Sequence, residues 1–360
     1  MRIKNSQIKF SEKHVSKVVP LCFVVLSWIA FELSGLSATF VTNQVILRFI
    51  RDGVMVLALI IPIVAGLGIN FAITLGAMLT QGIMICLVSL NIVGTKGLIL
   101  TMILSIGLSI ILGQLIGWVL NRVKGKEMIT TIILGFLGNS VYQLIFLVGF
   151  GTVIPVKNEE ILLTRGIGVR NMIDLKGFRN TLDQIGLVEI NSIKIPLFMI
   201  FVVLLFSFLV YYIFKTPFGQ RLKAVGESEH RAEMLGISVS KVRVQAIVLS
   251  TMIASLGQLF FVQNIGMLNV YTGHLKTDIF SSAALLAGGA SIKSAKVRHA
   301  IIGIFLFHTL FIVSPQAGQN LFNNAALGEY FRSFVAYGTI AFALIMNMKS
   351  RPDEKIHDIM

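Results

Sequence analysis

Leu98-Ile-Leu-Thr-Met-Ile-Leu-Ser-Ile-Gly-Leu-Ser-Ile-Ile-Leu-Gly-Gln-Leu-Ile-Gly-Trp-Val-Leu120 carries no charged residue, and its apolar positions do not alternate. The stretch matches the roughly 20 residues that an α-helix needs to cross a hydrocarbon core. Lipid offers backbone amides no partner, so a crossing segment must satisfy its own N–H and C=O groups. A helix does this within one segment, whereas a closed barrel would show a period of two. Gly113 and Gly117 form a Gly-x-x-x-Gly pair, the spacing that lets two helices approach closely.

Working outward, apolar stretches of this kind recur at 18–36, 54–68, 71–91, 98–120, 128–150, 194–213, 242–265, 279–290, 298–315 and 330–347. The chain is therefore predicted to be an all-α polytopic membrane protein of about ten transmembrane segments, some of them broken or half-spanning. The 360 residues are 55% hydrophobic and only 13% charged, with a mean hydropathy of +0.83, a balance that a single water-facing core cannot use. Segment 54–68 runs into Gly66-Leu-Gly68-Ile-Asn70, and 279–290 ends in Ala287-Gly288-Gly289-Ala290. Both are short, and the second is expected to stop near mid-membrane.

The majority of the 31 lysines and arginines fall on one side if the N-terminus is inside. Those loops carry Arg2 to Lys17, Arg122 to Lys126, Lys215 to Arg243, Lys293 to Arg298 and Lys349 to Lys355. Both termini are thus predicted to be cytoplasmic, with a basic segment 1–17, a transmembrane domain 18–347 and a tail 348–360. Topology and attraction to anionic lipid explain the net charge of +14, and no nucleic-acid partner is needed. Cys22 and Cys86 lie in apolar stretches and match neither a disulfide framework nor a metal-ligand spacing. Leu21 before Cys22 is bulky for lipoprotein processing, and no cleavable signal peptide reads from the sequence.

Two loops are long. The outer one, 151–193, reads as a folded cap with a short helix or as a solvated linker. The inner one, 214–241, is more informative. Ser228 can cap a helix start, Glu229 complements its dipole and Gly236 can close it in a left-handed turn, giving a two-turn helix over about 229–235. Gly226 and Gly236 would let the backbone turn on either side. Ala232 and Leu235, three residues apart, would share a face fit for a groove on another protein.

The run Thr216-Pro-Phe-Gly219, Lys223-Ala224-Val-Gly226-Glu227, Ala232 and Gly236-Ile237 resembles the cytoplasmic coupling loop of ABC-importer permeases for simple sugars, nucleosides and branched-chain amino acids. Lys223 stands where that pattern has Arg, Ser228 for Asn, Glu229 for Pro and Arg231 for Ala, while the glycine framework is kept. Ser282–Ser291 and Gly68–Gly76 are similar to the family's helix-break motifs, and Lys126–Leu134 is closer to its nucleoside branch. The likeness runs over 54–347.

The resemblance implies that Gly219, Ala224, Gly226, Glu227, Ala232, Leu235 and Gly236 couple the chain to a separate ATPase subunit. It also implies a second permease subunit, an extracytoplasmic solute-binding protein and a place in a bacterial cytoplasmic membrane. No Gly-x-x-x-x-Gly-Lys-Ser/Thr phosphate loop occurs in the chain, so ATP is expected to be hydrolysed by that separate subunit. The resemblance to a permease implies no catalytic residue, cofactor or metal in this chain.

A solute path should be lined by polar side chains and broken helices. The candidates are Asn70, Thr74, Gln81, Gln114, Asn139, Gln143, Gln258 and His308, with Gly288 and Gly289. The ordinary reading of any single amide is an interhelical hydrogen bond worth about 0.6–2 kcal/mol. Glu32 is the one acid embedded in an apolar run, which argues against an ion-driven secondary transporter, and no Ser/His, Asp/Asp or His-x-x-x-His set suggests a membrane enzyme. Scarcity of buried charge favours a neutral solute, a nucleoside or simple sugar, over a branched-chain amino acid.

Overall fold

The computed structural model describes residues 3–175, 177–179 and 181–349. The expected tail lies outside them from residue 350 on. In chain order the helices are α1 (Ile3–Ser34), α2 (Ala38–Ala58), α3 (Ile60–Val64), α4 (Ile73–Ser89), α5 (Gly94–Arg122), α6 (Glu127–Leu144), α7 (Leu197–Ile213), α8 (Pro217–Glu227), α9 (Glu229–Met234), α10 (Val239–Ile265), α11 (Thr277–Ala287), α12 (Val297–Phe322) and α13 (Ala325–Lys349). Four short strands are β1 (Met172–Asp174), β2 (Leu187–Ile190), β3 (Ile193–Pro196) and β4 (Met267–Asn269).

Each predicted apolar stretch falls on a helix. Among the described residues, α1 over Lys17–Ser34, α5, α6 with its π-helical extension to Gly149, α10 and α12 are long and apolar enough to cross a membrane. The pair α7 and α8, bent by 71°, makes a sixth if it is one span. The chain is a multi-pass helical membrane protein. The other predicted segments fall on shorter or more polar helices. The 11 residues of α11 rise about 17 Å, well under the thickness of a bilayer core.

The helices also extend beyond the predicted apolar segments. Residues 38–53, which lie between two of the predicted segments, are the start of α2. Arg51 pairs with Asp52 at 3.0 Å and lies over the Phe261 ring at 4.9 Å, so the charge is accommodated within helical packing. The basic segment before residue 17 is continuous with α1. Residues 151–193 fold through a short 3-10 helix at Glu159–Ile161, a β2–β3 hairpin turning at Asn191 and Ser192 with φ of 48° and 64°, and antiparallel pairing of β1 with β4. Phe150 and Phe178 are fully buried beneath it.

The chain divides into two compact units, residues 1–48 with 279–360, and residues 49–278. In the first, α12 packs on α1 and α13. Gly288, at the end of α11, lies so close to α12 that an added Cβ would overlap the His299 carbonyl, with the Gly303 nitrogen at 2.8 Å. Gly289 then reverses the chain at φ +89°.

In the second unit α10 is the central helix, packed on α5 and α4. The Gly-x-x-x-Gly pair makes the first contact. A Cβ on Gly113 would sit 2.7 Å from Val248 Cα, and one on Gly117 would sit 2.9 Å from Val244 Cα. Gly76 likewise faces the Thr251 carbonyl of α10 at 2.9 Å. Small residues let these backbones approach where a larger side chain could not fit.

Candidate functional site

The break between α3 and α4 is built from residues that replace the missing helical hydrogen bonds. Gly66 and Gly68 take φ of +81° and +72°, a region open to glycine without penalty. Asn70 Oδ1 accepts from the Ala72 nitrogen at 3.0 Å, and Thr131 Oγ1 of α6 accepts from the Phe71 nitrogen at 3.3 Å. The Asn70 amide also donates to Ser250 Oγ of α10 at 3.3 Å. Asn70 and Thr74, which bonds back to the Phe71 carbonyl at 3.2 Å, thus hold the break in place.

The inner segment forms α8 and α9. Thr216 caps α8 by accepting from the Gly219 nitrogen at 3.3 Å, with Pro217 in the first turn, where its lack of an N–H costs nothing. Ser228 caps α9 as expected, accepting from the Arg231 nitrogen at 3.3 Å. The helix ends in a Schellman pair, Gly236 N to Glu233 O at 2.9 Å and Ile237 N to Ala232 O at 3.0 Å, with Gly236 at φ +76°.

Two assignments within it are corrected. Gly226 is not a turn residue but lies in the last turn of α8, where an added Cβ would overlap the Val64 carbonyl and approach the Gly66 nitrogen at 3.1 Å. It permits α8 to touch the break after α3. Ala232 does not share an outward face with Leu235. Ala232 is 1% exposed while Met234 and Leu235 are 68% and 75% exposed, so the outward apolar pair is Met234 and Leu235. Gly219 also faces inward, against the Ile213 carbonyl. Ala224 is half-buried, and Glu227 is exposed.

Arg243, counted in the sequence only as a basic residue of the inner side, is 3% exposed. Its guanidinium donates to Glu127 at 2.6 Å, to Glu229, to Asn121 Oδ1 at 3.2 Å and to the Leu120 carbonyl at 3.3 Å. Lys124 reaches the second oxygen of Glu229 at 2.9 Å. Burial raises the Glu229 pKa, but its bonds to Lys124 and Arg243 outweigh this and hold the carboxyl below its usual range. A charged residue this close to an apolar run was the available signal that it is paired.

Four of the ten predicted path residues meet. Gln81 donates to Tyr142 Oη at 3.0 Å, to the Val270 carbonyl at 2.7 Å and to the Asn269 carbonyl at 3.3 Å, while Gln258 donates to Gln81 Oε1 at 3.5 Å. Asn139 accepts from Gln143 at 3.4 Å and from His274 Nε2 at 2.8 Å, and the His274 ring lies edge-on to Tyr142 at 4.9 Å. Tyr142 and His274, absent from the sequence-based set, join the two halves of this network. Its side chains are amides, a phenol and an imidazole, none ionised at neutral pH. Gln258 Oε1 and His274 Nδ1, on two buried side chains, have no partner among the described residues and leave acceptors open in the cluster. The other predicted members do not join it. Gln114 is exposed on α5. Gly288, Gly289 and His308 belong to the other unit, where His308 sits against Phe307 and Phe311 at 5.3 and 6.4 Å.

Burial pushes the His274 imidazole down to about 4, and His274 lies in the loop after β4, outside the spanning helices. Above about pH 6.5 the ring is neutral folded or unfolded, so it contributes nothing to pH dependence. Between about pH 6.5 and the folded value the unfolded chain binds the proton first, lowering stability by about 1.4 kcal/mol per pH unit. Thermal unfolding in detergent from pH 7 to 4.5 should therefore lose less stability in a His274→Gln variant than in the parent. An identical slope would show that His274 is not held neutral.

A family model described as the permease component of branched-chain amino acid transport systems matches residues 41–344. The chain is 30% identical over 127 residues to the nucleoside ABC transporter permease protein NupC of Lactococcus lactis subsp. cremoris, covering 35% of this chain and 39% of that protein. It is 26% identical over 157 residues to the ribose import permease protein RbsC of Bacillus subtilis, covering 43% of this chain and 46% of that protein. The chain thus spans under half the length of these curated relatives. No solved structure matches it significantly. With the family model running from within α2 to the last helix, and with inner segment and helix break in contact, this chain belongs to the permease-component family of branched-chain amino acid transport systems.

Proposed function

We propose that this chain is the membrane-spanning permease subunit of an ATP-driven importer that moves a small neutral polar solute, a nucleoside or simple sugar, by alternating access. The observation that carries the reading is the packing of Gly226 against Val64 and Gly66, which puts the segment suited to docking an ATPase directly on a broken helix. Such a contact lets a push on α8 and α9 alter a break that irregular backbone can occupy only beside protein or a water-filled path. The uncharged Gln81–Tyr142–His274–Asn139 network supports a neutral solute, as do the names of the two relatives.

ATP hydrolysis belongs on a separate subunit in this reading. A second permease chain and an extracytoplasmic binding protein complete the assembly, in a bacterial cytoplasmic membrane with both termini inside. The ten apolar segments serve as its full or partial spans. Co-expression with ATPase and binding-protein subunits, followed by purification and ATP-hydrolysis assays with nucleosides, pentoses and branched-chain amino acids, tests it. A stable complex stimulated by a nucleoside or sugar is expected. Stimulation by leucine or valine alone would overturn the solute class, and no complex at all would overturn the importer reading.

Met234 and Leu235 are the apolar contact offered to that ATPase. Leu235→Asp is expected to weaken complex formation about tenfold or more, while the thermal midpoint of the isolated chain stays unchanged because the side chain is exposed. Undiminished co-purification would remove Leu235 from the interface.

A further inference from the structure

The six residues of α9 are too few to form a helix alone, so whatever fixes α9 to the body of the unit also sets what moves with it. Ser228 joins it to α8, and buried Ala232 seats one face. The remaining tie is ionic, and it branches. Glu229 gives one oxygen to Arg243 of α10 and the other to Lys124 after α5. Arg243 passes the contact on to Glu127 in the first turn of α6, and to Asn121 and the Leu120 carbonyl at the end of α5. One guanidinium thus binds the end of α5, the starts of α6 and α10 and the first residue of α9. All three of its nitrogens are used, a planar fork that a lysine ammonium cannot reproduce.

We propose that Arg243 and Glu229 form a joint that stays closed throughout the transport cycle, so that α9 moves α5, α6 and α10 as one body. The proposal rests on the reading of α8 and α9 as the ATPase-docking segment. Arg243 and Glu229 are positioning residues here, acting through the helices they tie and touching no solute. The joint's outer member, Lys124, is half-exposed, so an exposed single pair would be a weak tie. The guanidinium, 3% exposed and bonded to four acceptors, is what makes the joint stiff, since breaking it would strand a buried charge.

The test uses the reconstituted complex with ATPase and binding protein, reading solute molecules moved per ATP hydrolysed. Glu229→Gln should lower that ratio about fivefold or more, a coupling loss that a change in protein amount cannot produce. In a chain lacking Cys22 and Cys86, Lys124→Cys with Glu229→Cys should behave likewise while reduced. Bridging the two cysteines with a short bis-thiosulfonate should restore the ratio, since a closed joint tolerates a covalent one. Transport that stops on bridging and resumes on reduction would overturn the proposal, because the joint would then have to open. An unchanged ratio in Glu229→Gln would overturn it too, leaving the importer reading intact. A parent chain that recruits no ATPase would overturn both.

Discussion

Gly226→Val is expected to be among the most damaging single substitutions in this chain. The added Cβ would overlap the Val64 carbonyl and approach the Gly66 nitrogen at 3.1 Å. Neither neighbour is a flexible side chain that could move aside. Overpacking against fixed backbone costs about 3 kcal/mol or more, enough to consume much of a marginal folding free energy. Folded yield by size-exclusion chromatography in detergent should collapse for Gly226→Val and already fall strongly for Gly226→Ala, which carries the same Cβ. Gly236 offers the contrast, since nothing lies within 4 Å of an added Cβ there and only its φ of +76° is demanding. Gly236→Asn should therefore be tolerated, asparagine being able to occupy the left-handed region. Equal damage at the two positions would contradict the close contact between α8 and the break.

Arg243→Met should destabilise by about 3–5 kcal/mol, the effect of stranding buried partners of an ion pair. It leaves the Glu127 carboxylate and the Leu120 carbonyl without their donor. The double variant Arg243→Met with Glu127→Gln should recover part of the loss in thermal midpoint, because the uncompensated charge is then gone. No recovery would mean that packing of the arginine stem dominates. The same knot predicts an acid limit. Glu229 has a folded pKa below its ordinary value. Its contribution is thus complete above about pH 4.3 and is lost only as the pH falls through the lower folded value.

The helices were legible in the sequence wherever length and apolarity act together, as at Leu98–Leu120 within α5. They were not legible where charge interrupts the pattern, as at Arg51 and Asp52 in α2, because pairing within the fold is what makes those residues acceptable. The caps at Ser228 and Gly236 could be read directly, since their chemistry is local. Gly226 could not. A glycine serves either positive φ or close approach, and only the neighbour, here the carbonyl of Val64, tells which. Ala232 and Leu235 were grouped by spacing alone, and the tight Schellman turn places them on different sides of the surface. The amides proposed for a path were recognisable only as a residue class. Which ones meet was decided by Tyr142 and by the loop carrying His274, partners remote in sequence from Gln81. Arg243 was hidden by its usefulness as a topology signal, since a basic residue at the inner end of a helix needs no partner to be explained.

The central claim is that this chain moves solute only when driven by an ATPase. Uptake of labelled nucleoside or ribose into proteoliposomes holding the chain with the proposed ATPase and binding-protein subunits tests that claim most directly. The account predicts accumulation that requires ATP, survives ionophores that collapse ion gradients, and is lost in Leu235→Asp. Accumulation by the chain alone, driven by an ion gradient and abolished by ionophores, would contradict it.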